Sequence, residues 1–311
     1  MFLVSNPQLV GAVSNGGAVG GIPSLNFRTT ELFEKAIQEI QSLTTLPFGV
    51  NLIVNQANPR VNQDLEVCAK YRVPLIVTSL GNPKQVIAKM HSVGCKVFCD
   101  VVNLEYAKKV QDMGADGVVA VSSGAGGHAG PVSPLVLIPY LKRHLSIPVI
   151  AAGGIATGEQ ILAAQVLGAA GVQIGTRFIA THEASVDDSY KKAILTAKPE
   201  DIVLTKKISG TPASVINTPY VKKQGLELSW LETKLLEHKT TKKYMKMVIS
   251  YLGSQKLGDA ITGPTWKTVW SAGQGVGLID NVLPAAQVLV NLENEYTVAF
   301  SRLNASLPGG I

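Results

Sequence analysis

The chain has 311 residues, 46% of them hydrophobic and 16% charged, enough for a large core and one or two domains. No apolar run reaches bilayer length and the N-terminus carries no basic-then-apolar signal, which argues against a membrane protein and for a cytoplasmic one. The net charge of +6 comes largely from lysines, several within Lys234–Lys246, where a solvated helix face accounts for them without any nucleic-acid motif.

Taken in order, the pattern alternates strand and helix. Pro7–Ser14 reads as a short helix, turned by Asn15-Gly16-Gly17 into a strand near Ala18–Ile22. Thr29–Leu43 has helical periodicity, with Leu32, Phe33, Ala36, Ile37 and Ile40 on one face. Phe48–Val54 is a strand, and Asn58-Pro59 then opens a helix with a side-chain cap and a proline at its first position. Pro74–Ser79 is a strand, Asn82-Pro83 repeats the opening signal, and Gly94 closes that helix. Val97–Val102 is a strand, Asn103–Met113 a helix closed by Gly114, and Gly117–Val121 a strand. Ser133-Pro134 opens a helix reaching about His144. Pro148–Ala152 is a strand, Thr157–Leu167 a helix ended by Gly168, and Gly171–Gly175 a strand.

Gly94-Cys95, Gly114-Ala115 and Gly168-Ala169 each end a helix and lead within a few residues to a valine-rich strand. Strands apolar on both faces, alternating with helices, are parallel and covered by those helices. About seven strands follow this spacing, and a (β/α)8 barrel of TIM type is their natural closure. A doubly wound open sheet is the alternative, with no GxGxxG fingerprint behind it. One strand is missing: no strand precedes Pro7, which predicts a barrel lacking its first strand, its two edges covered by a preceding segment or by another part of the chain.

Beyond Phe178 the pattern changes. His182–Ala197 reads as a helix, Thr205–Tyr220 as an extended stretch, Leu226–Gly253 as a lysine-rich helix and Pro284–Leu303 as a last amphipathic helix. This divides the chain into a barrel of residues 1–200 and 271–311 and a mostly helical insertion, 201–270, over the barrel mouth.

Chemistry concentrates after the strands. Val118–Gly130 begins as a buried strand and becomes a loop of Gly124, Gly126, Gly127 and Gly130 around one imidazole, His128. Small residues admit a flat ligand to the backbone, and a histidine there exchanges protons near neutral pH; a flexible turn that happens to hold a histidine is the plainer reading. Gly153-Gly154 follows the strand PVIAA, with Thr157 and Gln160 spaced as a capping box, and Gly175-Thr176 ends the next strand. Two such loops on consecutive units point to a phosphate site built from backbone N–H groups. His91, His144 and His238 fall on helix surfaces, and His182 follows the last strand closely enough to approach that phosphate. The three cysteines, Cys68, Cys95 and Cys99, lack zinc spacing and suggest no disulfide framework; Cys99 reads as an apolar filler. With no cysteine after Cys99, the IMP dehydrogenase pattern fails.

Gly49-Val50-Asn51, AGGHAG (Ala125–Gly130), AAGGIATG (Ala151–Gly158), GVQIGTRF (Gly171–Phe178) and SAGQGVG (Ser271–Gly277) together resemble the nitronate monooxygenase family, once called 2-nitropropane dioxygenases. FMN-dependent enoyl-acyl-carrier-protein reductases share this pattern. The resemblance implies a TIM-type barrel that binds FMN non-covalently, oxidises a nitronate or nitroalkane with O2, and has a helical insertion over its site. It leaves a homodimer open. It implies that Gly153, Gly154, Gly175 and Thr176 hold the FMN phosphate, and that Asn51 and Thr78 meet the ring or ribityl chain. Gly126 and Gly127 would lie beside the flavin, Gln274 near the cofactor, and His128 would be the catalytic histidine. Asp100 stands at a strand end where many relatives have lysine, and Val121 where the enoyl reductases have an acid. Met1 stands at a methionine that in relatives follows the first strand and touches the flavin. Two other readings are an NAD(P)H-dependent enoyl or quinone reductase using FMN, and a truncated remnant that no longer holds it.

Overall fold

The computed structural model describes residues 1–55, 58–206, 212–227 and 269–306. Seven parallel strands pair in chain order: β1 (Gly20–Pro23), β2 (Phe48–Ile53), β3 (Leu75–Ser79), β4 (Lys96–Val101), β5 (Gly117–Val121), β6 (Val149–Ala152) and β7 (Gly171–Gln173). Helices α1 (Pro7–Asn15), α2 (Thr30–Leu43), α3 (Val61–Lys70), α4 (Lys84–His91), α5 (Leu104–Asp112), α6 (Pro134–His144) and α7 (Gly158–Val166) alternate with them. The sheet curls as a TIM-type α/β barrel. Among the described residues no strand joins β7 to β1. The next helices are α8 (Thr176–Ile179), α9 (Asp188–Thr196) and α10 (Pro219–Gln224); α11 (Ala285–Ser306) packs on α7 and α1, outside that gap.

Register and alternation decide what each strand residue meets. Val97 and Cys99 of β4, like Val118 and Ala120 of β5, face outward and join Phe33, Ile37, Ile40 and Leu141 in the main core. Phe98, Val119 and Ile150 face inward, where they line a cavity. A second core gathers Leu9, Phe178, Ile194, Val288 and Leu292 under α1, α9 and α11.

Five local expectations shift. Helix α3 starts at Val61, because Asn58 Oδ1 accepts the Arg60 N–H at 3.1 Å and forms a turn two residues ahead of the helix. Asn82 does the same to the Lys84 N–H at 3.0 Å. Leu32 is 46% exposed, so the buried face of α2 is narrower than its apolar stripe. The helix expected from His182 begins at Asp188, since the backbone before it is tied elsewhere: Thr181 bridges to Leu283 and the His182 N–H donates to the Leu283 carbonyl. Part of the stretch read as extended, together with residues just before it, is an antiparallel hairpin, β8 (Ile202–Thr205) with β9 (Ala213–Ile216), followed by α10. The remainder of the expected insertion, with Lys234–Lys246 and His238, lies outside the described residues.

One buried charge pair ties α2 to α3. Arg60 donates to Asp64 Oδ2 at 2.9 Å and to the Phe27 carbonyl at 2.6 Å; Asp64, without solvent exposure, also accepts from Thr30 Oγ1 at 2.7 Å. Asp64→Ala strands the guanidinium and is expected to cost about 3–5 kcal/mol, read as a lower urea midpoint at unchanged slope.

Candidate active site

The carboxyl ends of the strands open on a cavity of about 3270 Å³ that continues into the gap between β7 and β1. Turns there hold glycines in left-handed conformations, Gly153 at φ +119° and Gly154 at φ +75°. Among the described residues, the N–H groups of Gly153, Gly154 and Gly175 donate to no carbonyl or side chain, and all three residues line the cavity. Thr176 lines it as well; its Oγ1 accepts the Gly273 N–H at 2.9 Å, which leaves its own proton to donate. The N-terminus of α7 is already used. Thr157 and Gln160 form the expected capping box, and Glu295 takes the Gly158 N–H at 2.8 Å. Any phosphate here is therefore met by the two glycine turns and not by that helix.

Asn51 and Asp100 also line the cavity, at the ends of β2 and β4. Between them stands Ser79, a residue that no sequence motif singles out. Thr78 was expected there, but it is 2% exposed and turned to the helix layer, its hydroxyl 3.5 Å from the Phe98 carbonyl. The strand period of two moves the polar function one residue on, and Asn51–Val77 pairing in the register is the signal that could have found it. Val121 makes the wall apolar at the end of β5.

The glycine loop comes from β5. Its Gly127 N–H donates to Ser214 O at 3.0 Å and the Ser214 N–H to Gly127 O at 2.7 Å, so β9 pins the loop. Gly126, Gly127 and His128 line the cavity, and burial lowers the His128 pKa below its ordinary value, which keeps the ring a free base at neutral pH. Gln274 is exposed and outside the cavity lining; its N–H donates to Gly124 O at 2.9 Å and braces the loop from behind. Tyr190 and Trp270, stacked at 5.3 Å, complete one wall, and no local sequence pattern points to them. His182 is exposed and off the cavity, while His91 and His144 bond Asp116 and the Tyr140 carbonyl on the surface. Cys68, Cys95 and Cys99 are buried and unbridged. No helix among the described residues is long and apolar enough to cross a membrane.

Unengaged backbone N–H groups at one side, polar strand ends facing apolar walls, and an imidazole on a pinned loop suit a phosphate-bearing planar cofactor with a small substrate over it. Enzymes built on such barrels carry their sites at the carboxyl ends of the strands. The family model for nitronate monooxygenase matches residues 1–63 and 59–295, and the chain belongs to that family. It is therefore an oxidoreductase of the flavin-using class. It is 32% identical to a (3aS,4S,5R,7aS)-5-hydroxy-7a-methyl-1-oxo-octahydro-1H-indene-4-carboxyl-CoA dehydrogenase of Rhodococcus jostii, across 94% of this chain and 89% of that one. It is 35% identical to a probable nitronate monooxygenase of Staphylococcus haemolyticus, across 69% of this chain and 72% of that one. Among solved structures, FabK from Thermotoga maritima superposes with a TM-score of 0.83 at 33% identity, covering 99% of this chain and 94% of that one. A nitroalkane oxidase from Streptomyces ansochromogenes superposes with a TM-score of 0.79 at 26% identity, covering 96% and 94%.

Proposed function

We propose that the chain is an FMN-dependent nitronate monooxygenase, converting alkyl nitronates with O2 to carbonyl compounds and nitrite. The observation that carries this reading is His128, a free-base imidazole on a braced loop, opening on the same cavity as the unengaged N–H groups of Gly153, Gly154 and Gly175. FMN, when bound, supplies the electron acceptor that side chains lack. The glycine turns would hold its phosphate, with the Thr176 hydroxyl beside them. Asn51 and Asp100, which line the same cavity, would meet its ring system. His128 takes the proton from the carbon next to a nitro group, or orients a nitronate already formed. The apolar walls around Val121 and Val119 keep water from the reacting carbon.

A second reading, a reductase or dehydrogenase that exchanges electrons with NAD(P)H and acts on enoyl, quinone or acyl thioester groups, is supported by the length of the Rhodococcus match and by the size of the cavity. Purified protein should be yellow. With an alkyl nitronate it should consume O2 and release nitrite; oxidation of NADH or NADPH without nitrite release would establish the second reading, and a colourless protein that takes up no FMN would establish the remnant.

A further inference from the structure

Three polar side chains on neighbouring strand ends form a hydrogen-bonded chain whose direction is set at the Asn51 end. The amide of Asn51 faces the Val77 carbonyl at 3.1 Å, which accepts only, so this end of the amide is Nδ2. The same Nδ2 donates to Ser79 Oγ at 2.7 Å. The serine proton is therefore free to go forward, and it goes to Asp100 Oδ2 at 2.5 Å. Oδ2 is thus an acceptor already in use. The other oxygen, Oδ1, is shielded from solvent and has no partner. With the serine proton on Oδ2, the partnerless Oδ1 is the oxygen open to a proton, and Asp100 lines the cavity.

We propose that Asp100 meets the bound cofactor as a neutral carboxylic acid, its Oδ1–H donating to an acceptor atom on the ring system. The inference rests on the flavin reading given above and assigns the ring contact a protonation state. No described ion pair neutralises Asp100. The flanking strands β3 and β5 bring no ionisable side chain. On its own strand Cys99 is a thiol pushed up to about 11 by burial, and Lys96 is held at the far end by Asp116. Tyr106 on α5 donates to the Gly81 carbonyl, and across the cavity His128 is a free base. Burial pushes the Asp100 carboxyl up to about 6, against the opposing pull of the Ser79 bond. A ligand that fills the cavity removes more water and raises it further. An ionised Asp100 would have no hydrogen to offer an acceptor atom.

If the cofactor binds the protonated form, binding takes up a proton, and affinity falls as pH rises above the free carboxyl's value, by at most about tenfold per pH unit. FMN binding to apoprotein is read by flavin fluorescence quenching from about pH 5.5 to 8.5 in wild type, Asp100→Asn and Asp100→Ala. Asparagine keeps an N–H donor in place of Oδ1–H and has no charge. The ratio of wild-type to Asp100→Asn affinity cancels ionisation of the FMN phosphate and of His128, and is expected to fall roughly tenfold or more between pH 6 and pH 8. Asp100→Ala should bind more weakly than Asp100→Asn at every pH. In wild type alone, FMN addition should bring up a protonated-carboxyl band in the infrared difference spectrum, a readout that needs no variant to fold. A flat affinity ratio, or FMN binding without that band, overturns the proposal. Absence of quenching in all three proteins overturns the flavin reading itself, and this inference with it.

Discussion

Replacing His128 with asparagine is expected to lower turnover of neutral nitroalkanes by about a hundredfold to ten-thousandfold while FMN stays bound. The imidazole sits on a loop braced by β9 and by Gln274, so a smaller polar side chain leaves the loop where it is. With preformed nitronate the proton has already left carbon, and the loss should be much smaller. Both substrates share binding and electron transfer, which isolates the proton step. The pH profile carries the same signature. Burial lowers the His128 pKa, so its base form persists below the ordinary histidine range. The acid limb of kcat/KM for a nitroalkane should lie below about 6.5 and disappear in His128→Asn. Equal losses with both substrates would make His128 an orienting group, and no loss with either would leave it structural.

The second large effect is expected at Gly154. With φ at +75° this residue lies in the left-handed region, where a side chain costs about 1–2 kcal/mol. A Cβ there meets nothing within 4 Å, so Gly154→Val has room and the barrel should stay folded. The isopropyl group would stand in the cavity in front of the unengaged N–H groups. Losing two charge-assisted hydrogen bonds, at about 1.5–3 kcal/mol each, predicts a drop in FMN affinity of about a hundredfold or more. Isothermal titration of the apoprotein measures it, with the melting temperature of the flavin-free protein as the check on folding. Gly153→Val is the less informative variant, because its Cβ would lie 2.7 Å from Ser122 Oγ and disturb the turn itself. Unchanged affinity in a folded Gly154→Val protein would move the phosphate elsewhere.

The sequence by itself determined the repeating unit. Glycine terminators at Gly94, Gly114 and Gly168 take up positive φ, as helix ends require, and the valine-rich runs after them are strands. These signals are local, set by backbone sterics and by apolar strands that need cover on both faces, and so they are legible without coordinates. The glycine turns and the His128 loop were legible for the same reason. What only the tertiary structure decided is how the site is completed. Thr78 and Ser79 differ by one residue in phase, and the phase of a strand with both faces apolar cannot be read from its own composition. The use of the α7 N-terminus by Glu295 depends on a contact 137 residues apart in sequence. The pinning of the glycine loop by β9, and the wall made by Tyr190 and Trp270, likewise join segments far apart in the chain. The acidic group on the cavity wall shows the division most plainly. Asp100 is a single letter at a strand end, and its character is set by what surrounds it: a serine bond fixed by Asn51, no countercharge, and one oxygen left without a partner.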